Sequence, residues 1–291
     1  MRPRTPVPIR CSAPPTLTTS RASPTTRVAR AAALLAAAAV LLAGGPSFAA
    51  AERLLVGSAV SLREPVLAIA ARFEVSDPAE LDVTFGASSV IAAQIRAGAP
   101  IDLLISADEA IVDALDAAER LEPGGRARVA HNRLVVMANA DRELALRRPE
   151  DLLRPEVRRI AVPEHAVPIG RYAREWLSRR GLLAQLAPRI IPTEHARATL
   201  AAVDLGHADA AIVYATDARV ARSARVAFEI PPAEQPRIAY AAAIVAGTRQ
   251  GAAARRFLRF LAGPVAGEIL RAAGFSVPAA APSAAPGAAQ P

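Results

Sequence analysis

The stretch Thr84–Asp108, TFGASSVIAAQIRAGAPIDLLISAD, decides the fold because a strand, a turn, a helix and a second strand follow one another in it. Its helix, residues 90–97, carries Ile91 and Ile95 on one buried face. The apolar run at 101–105 is typical of a buried strand. Strands that alternate with helices in this way predict a parallel α/β sheet.

Serines occupy two of the strand-to-helix junctions. Ser88 and Ser89 lie at the expected N-terminus of the helix just described, where a serine either caps the helix or, with the free N–H groups of the first turn, binds an anion. Ser61 stands at a second junction, in the Ser-x-x-Glu spacing that forms a capping box with Glu64. The sequence alone leaves capping and anion binding open for Ser88 and Ser89.

Charge and composition exclude several classes of function. The chain has 291 residues and is 52% hydrophobic, with 16 glycines and 25 prolines, which suits a two-lobed globular protein or two small domains. Its formal net charge is +8. Residues 1–51 contain six arginines and no acid, so subtracting six from +8 leaves +2 for the remainder. This balance argues against a nucleic-acid surface. The chain has no lysine, which excludes Schiff-base chemistry and a P-loop lysine.

The two ends of the chain differ from the rest. Residues 1–50 are predicted to be a cleaved export signal, with an apolar core at Ala31–Ala43 and a small-x-small cleavage site at Ser47–Ala49. The single cysteine, Cys11, falls inside this leader. We therefore expect a periplasmic, cysteine-free mature protein, with a disordered Pro/Ala tail at 279–291.

Hydrogen-bond donors recur at the strand-to-helix junctions along the whole chain. They are Ser61, Ser88, the turn at 167–170, Ala196 in a helix that Thr193 is expected to cap, and Tyr214 at the end of a strand. In open α/β sheets, ligands lie beyond the carboxyl ends of the strands, next to such turns. A neutral cluster of N–H and O–H donors suits a dehydrated oxyanion. A further turn is expected at 122–125, Glu-Pro-Gly-Gly.

Several of these motifs together resemble those of the periplasmic molybdate-binding proteins of ABC importers. The resemblance covers about Leu54–Pro278, and its motifs are SAVSL at 58–62, FGASS at 85–89, DLLISAD at 102–108, PEH at 163–165, VPIGRYA at 167–173, IVY at 212–214 and GF at 274–275. It implies a two-lobed α/β fold of the type II periplasmic binding proteins, with two chain crossings and the ligand cleft between the lobes. Lobe I would comprise 52–133 and 238–278, and lobe II 134–237.

The resemblance also implies function and site. The protein would capture molybdate, and tungstate, for an inner-membrane permease with its cytoplasmic ATPase, as a monomer that needs no cofactor. In this family two serine hydroxyls, backbone N–H groups and a tyrosine hydroxyl hold the oxyanion. Motif matching carries these roles to the following positions: Ser61, Ser88, Ile169, Ala196 and Tyr214.

Departures from the family pattern leave alternatives open. Ile169 replaces the usual alanine of the Val-Pro-Ala-Gly turn, and Ala166 resembles a one-residue insertion before it. A changed pocket volume keeps sulfate as an alternative ligand, and a sensing protein that is not coupled to transport is another. Enzyme activity is not expected, because a Gly-x-Ser-x-Gly elbow is absent. The four histidines lack metal-ligand spacing, so we expect structural or solvent-exposed roles for them.

Overall fold

Two five-stranded sheets form the framework of the chain in the computed structural model, which describes residues 52–140 and 144–278. The first sheet has the strand order β2-β1-β3-β10-β4 and comprises β1 (Arg53–Ala59), β2 (Glu80–Gly86), β3 (Leu103–Ser106), β4 (Leu121–Asn132) and β10 (Ile238–Val245). Strand β1 pairs in parallel with β2 and β3, whereas β10 is antiparallel to both β3 and β4. The carboxyl ends of β1, β2 and β3 therefore lie at the same edge.

The second sheet repeats this arrangement. Its strand order is β7-β6-β8-β5-β9, and it comprises β5 (Leu134–Ala138), β6 (Ile160–Pro163), β7 (Ile190–Thr193), β8 (Ala210–Tyr214) and β9 (Arg225–Glu229). Strand β6 pairs in parallel with β7 and β8, and β5 is antiparallel to β8 and β9. Here too, three parallel strands end at one edge.

Helices cover the sheets. Around the first sheet lie α1 (Arg63–Glu74), α2 (Ser88–Arg96), α3 (Glu109–Asp116), α8 (Gly251–Leu261) and α9 (Pro264–Ala272), and around the second lie α4 (Pro168–Arg179), α5 (Leu183–Leu186), α6 (Ala196–Asp204) and α7 (Ala215–Ala218). Short 3-10 turns occupy Val60–Leu62, Pro149–Leu153, Ala187–Arg189 and Pro232–Glu234. Helix α1 shows why these segments are helical: Val66, Ile69 and Phe73 recur at helical spacing and are buried. Among the described residues no helix combines the length and the apolar character needed to cross a bilayer.

The chain passes twice between the sheets. Strand β4 ends at Asn132 in the first sheet and β5 begins at Leu134 in the second, and the return runs from β9 to β10 through residues 230–237. The predicted two-lobed α/β fold is confirmed. The domain bounds given from sequence stay predictions. The expected leader at 1–50 and the tail at 279–291 lie outside the described residues.

The prediction of a turn at 122–125 is wrong, because these residues belong to the continuous strand β4. Strand β4 is the edge strand of its sheet, and apart from an isolated bridge between His131 and Ser276 its described pairing is with β10. On the open side of such a strand, a proline such as Pro123 costs no hydrogen bond between strands. Gly124 adopts φ 73°, and the pairing register shifts between Ala243 and Val245 on the partner strand. The Pro-Gly-Gly sequence therefore forms an irregularity within an edge strand and not its end.

Candidate ligand-binding site

A small cavity, lined mostly by buried residues, lies between the carboxyl ends of the six parallel strands, three from each sheet. Its walls are formed by Ala59, Val60, Ser61, Gly86, Ala87, Ser88, Ala107, Val167, Pro168, Ile169, His195, Ala196 and Tyr214. Its volume is about 20 Å³, somewhat more than one water molecule requires. The structure thus brings together all five positions predicted from sequence.

Ser61 lies in the 3-10 turn Val60–Leu62 and is buried. The capping box expected for it does not form, because this extra turn delays the start of α1 until Arg63 and its N-cap makes no side-chain hydrogen bond. The Ser61 hydroxyl instead lies 3.1 Å from that of Tyr240, which accepts a hydrogen bond from Asn132 Nδ2 at 3.2 Å. When Tyr240 donates to Ser61, the hydrogen of the Ser61 hydroxyl is left for a ligand.

Ser88 is the first residue of α2 and is buried. The helix has Ala87 at its N-cap and no side-chain cap, so capping is the wrong interpretation for Ser88. Its Oγ accepts a hydrogen bond from the backbone N–H of Ala107, which directly follows β3, at 3.0 Å. Because a hydroxyl has a single hydrogen, this contact leaves the Ser88 hydrogen to donate elsewhere.

Ile169 lies in the first turn of α4, where backbone N–H groups have no partner within the helix. Pro168 precedes it in the turn and Gly170 follows. A Cβ built on Gly170 would lie 2.1 Å from the carbonyl oxygen of Glu164, so only glycine lets the chain pass this close. The turn therefore holds the Ile169 N–H at a fixed place on the cavity wall, and the positive end of the helix dipole favours an anion there.

Ala196 begins α6, and its cap differs from the sequence prediction. Thr193 does not cap this helix, because it is the last residue of β7 and pairs with Pro163 of β6. The N-cap is His195, whose Nδ1 accepts a hydrogen bond from the N–H of Ala198 at 3.1 Å. The backbone N–H of Ala196 lies in the first turn and, like that of Ile169, has no intrahelical partner.

Tyr214 ends β8 and is buried. Its hydroxyl has no hydrogen-bond partner of acceptable geometry in the described part of the chain, although it interacts with the hydroxyl of Tyr240. The centroids of the two tyrosine rings are 5.9 Å apart. Burial raises the pKa of Tyr214 well above its ordinary value. The group is therefore a protonated, buried donor, and a buried donor without a full partner is costly unless something accepts its hydrogen.

The cavity wall carries no carboxylate and no guanidinium among the residues that line it. Arg171 and Arg197 follow two of the wall segments, but each is committed to an acid: Arg171 pairs with Asp108, and Arg197 with Asp217 at 2.9 Å. The described residues also contain no cluster of three or more histidine, cysteine or acidic side chains that could hold a metal ion. The site is thus a neutral set of hydroxyl and N–H donors.

Comparison with known proteins agrees with this architecture. The sequence profile of the bacterial extracellular solute-binding proteins matches residues 54–276, which is most of the chain. The chain belongs to this family. The relatives described next are named as binding proteins.

Relatives of this solute-binding protein include molybdate binders. The chain is 32% identical to the molybdate-binding protein ModA of Escherichia coli K12 over 80% of its own length and 92% of that protein. It is 27% identical, with a TM-score of 0.70, to the periplasmic molybdate-binding protein of Azotobacter vinelandii, covering 78% of this chain and 100% of that one. The sulfate-binding protein SubI of Mycobacterium tuberculosis, at 17% identity and TM-score 0.67 over 77% and 86% of the two chains, shares the fold alone.

Three residues that line the site or hold its serines were not predicted from the sequence. His195, expected to be structural or solvent-exposed, both caps α6 and lines the cavity of this solute-binding protein. Tyr240 and the backbone of Ala107 hold the two serines. Only His195 left a usable signal, because it directly precedes Ala196 at the position where an N-cap residue is required.

Proposed function

We propose that this protein captures molybdate, and also tungstate, in the periplasm and delivers it to the permease and ATPase of an ABC importer. Export by a cleaved leader at residues 1–50 and a monomeric binding protein are parts of the same proposal. The molybdate-binding relatives from Escherichia coli and Azotobacter vinelandii support it. Ligand capture requires no cofactor and no catalytic step.

One observation carries the proposal: neutral, buried donors from both lobes line one cavity. Ser61 and Ser88 come from the first lobe, and Ile169, Ala196 and Tyr214 from the second. A hydrogen bond to a charged group contributes about 1.5–3 kcal/mol. About six of them would support the roughly 8 kcal/mol of a micromolar complex after desolvation losses.

Because both lobes supply hydrogen-bond donors to the anion, binding should bring the two lobes together. An anion held by Ser88 and Tyr214 at once binds only when the two lobes approach each other. A ligand shifts a conformational equilibrium by the difference in its affinity for the two states. We therefore expect the bound anion to favour the closed form, with the two crossings between the sheets as the hinge.

Calorimetry tests the proposal. The purified protein, freed of ligand by unfolding, dialysis and refolding, would be titrated with molybdate, tungstate, sulfate and phosphate. We expect molybdate and tungstate to bind with similar affinity and more tightly than sulfate and phosphate. Failure of all four oxyanions to bind would contradict the proposal, and preferential sulfate binding would replace molybdate by sulfate as the transported anion.

Sulfate is the second candidate because of a specific observation. Ile169 is buried and lines a cavity of about 20 Å³, where the resembling family usually has alanine. We expect its larger side chain to leave less space for an anion, while the backbone N–H stays in place. A narrower cavity favours the smaller of two tetrahedral dianions.

A further inference from the structure

Arg197 forms ion pairs with acids of both lobes. It is the second residue of α6, next to Ala196 of the cavity wall. Its guanidinium pairs with Asp217, in the same lobe, and with Glu64 of α1, which packs on the sheet of the other lobe. The two acids differ in environment, since the Asp217 side chain is 0% exposed and that of Glu64 is 54% exposed.

The three charged residues are attached to three different parts of the site. Glu64 follows Ser61 by three residues, and Asp217 follows Tyr214 by three. A displacement of one lobe against the other therefore changes the distance between Glu64 and Arg197 together with the distances across the cavity. The contact between Arg197 and Asp217 lies within one lobe and is insensitive to that displacement.

The buried Asp217 restrains the side chain of Arg197. Both carboxyl oxygens of Asp217 are buried without a hydrogen bond of acceptable geometry, and Arg197 Nε lies 2.9 Å from one of them. Above the raised pKa of about 7 this carboxyl is ionised, and the positive charge of Arg197 then compensates it. Removing one partner of a buried ion pair is strongly destabilising, which keeps Arg197 in place even when Glu64 is distant. A side chain that is already ordered loses little entropy when it meets its second partner.

We propose that Arg197 is a positioning residue which is anchored by Asp217 and engages Glu64 only when the lobes close, so that it stabilises the ligand-bound form. This inference rests on the proposed function, because closure around an anion is what the contact stabilises. The pair lies outside the cavity wall and leaves its neutral donor set unchanged.

The decisive variant is Glu64→Gln, because Glu64 is half exposed and its loss leaves the buried pair intact. With molybdate as the probe, we expect the dissociation rate constant to rise about two- to five-fold, the effect of one partly exposed ion pair, with little change in the association rate. The unfolding midpoint of the ligand-free protein should not change. The matched control is Asp82→Asn, which removes an exposed pair with Arg53 inside the first lobe and should leave dissociation unchanged.

A double variant tests whether Glu64 acts through Arg197 or by a separate local effect. In Arg197→Gln/Asp217→Asn, the buried pair is neutral, and adding Glu64→Gln should not accelerate dissociation further. An unchanged dissociation rate in Glu64→Gln, or an equal acceleration in both backgrounds, would overturn the role of Arg197 while leaving the proposed function standing. If the wild-type protein does not bind molybdate, sulfate or tungstate, the proposed function fails and this inference with it.

Discussion

The backbone N–H of Ala107 donates a hydrogen bond to Ser88 Oγ at 3.0 Å, joining the end of β3 to the start of α2. The contact occupies one lone pair of the hydroxyl and restrains the side chain, so its hydrogen is available to the cavity that both residues line. A donor restrained in this way before the ligand arrives loses little entropy on binding.

Replacement of this serine should weaken anion binding selectively. Ser88→Ala removes one hydrogen bond to a charged ligand, so we expect molybdate affinity to fall by about 1.5–3 kcal/mol in calorimetry. Ser89→Ala is the matched control, since Ser89 is the next residue of the same helix but does not line the cavity. Equal losses in the two variants would remove the Ser88 hydroxyl from the site.

Tyr214→Phe should separate affinity from stability. The hydroxyl is buried without a hydrogen bond of full geometry in the described structure, and the ring packs against Tyr240. We expect ligand binding to weaken by about 1–3 kcal/mol while the unfolding free energy of the ligand-free protein does not fall. Calorimetry and urea unfolding measure the two quantities. Unchanged affinity would exclude the Tyr214 hydroxyl from anion binding.

Asp217 should make stability depend on pH. Burial raises the pKa of this carboxyl from 3.8 to about 7, an effect that Arg197 opposes and Glu64 reinforces. Between these two pH values the folded protein keeps a proton that the unfolded chain has released. The unfolding free energy should therefore fall as pH rises from about 4 to about 7, by at most about 1.4 kcal/mol per pH unit, with no further loss above.

Asp217→Asn should remove this decline, as measured by urea unfolding at several pH values. Asp151→Asn is an informative control because the pKa of Asp151 is lowered, chiefly by the backbone N–H of Arg147. The stability that Asp151 contributes is present at neutral pH and is lost only as pH falls toward and below its ordinary value. A decline between pH 4 and 7 that persists in Asp217→Asn would contradict the assignment.

Much of the site could be predicted because it follows from local sequence and sheet topology. Parallel strands place their carboxyl ends at one edge, so Ser61 and Ser88, which follow β1 and β2, are expected at the same edge of the first sheet. Tyr214 ends a strand of the second sheet, and its place beside the two serines is what the family resemblance implies. Their partners could not be predicted in the same way. Tyr240 reaches Ser61 across 179 residues of sequence, and that contact depends on β10 returning to the first sheet.

Local signals also failed where strand pairing decided the outcome. Thr193 is a better N-cap residue than histidine, yet pairing with Pro163 holds it in β7 and moves the cap to His195. Pro123 and Gly124 usually indicate a turn, but at the edge of a sheet they are accommodated within a strand. In both cases tertiary contacts prevailed over local propensity.

The last prediction concerns selectivity. In a cavity without a charged wall, discrimination between tetrahedral dianions must come from size and from unmet hydrogen bonds. Molybdate and tungstate have nearly the same size and should bind alike. Sulfate is smaller, and each buried donor that it leaves unsatisfied costs about 1–3 kcal/mol, so two would lower affinity by about thirtyfold or more. Monohydrogen phosphate brings a proton, for which the cavity offers few acceptors beyond its hydroxyls.

Ile169 is the residue that can reverse this order. Ile169 is buried and belongs to the cavity wall, and we expect its bulk to reduce the space for the larger anions. Ile169→Ala should therefore shift the preference further toward molybdate, measured as the ratio of molybdate to sulfate affinity in competition titrations of both proteins. The backbone donor is unchanged by this substitution, so the total number of hydrogen bonds should be preserved. Tighter sulfate than molybdate binding by the wild type would defeat the molybdate assignment, whereas an unaltered ratio in Ile169→Ala would show that this side chain does not set the cavity size.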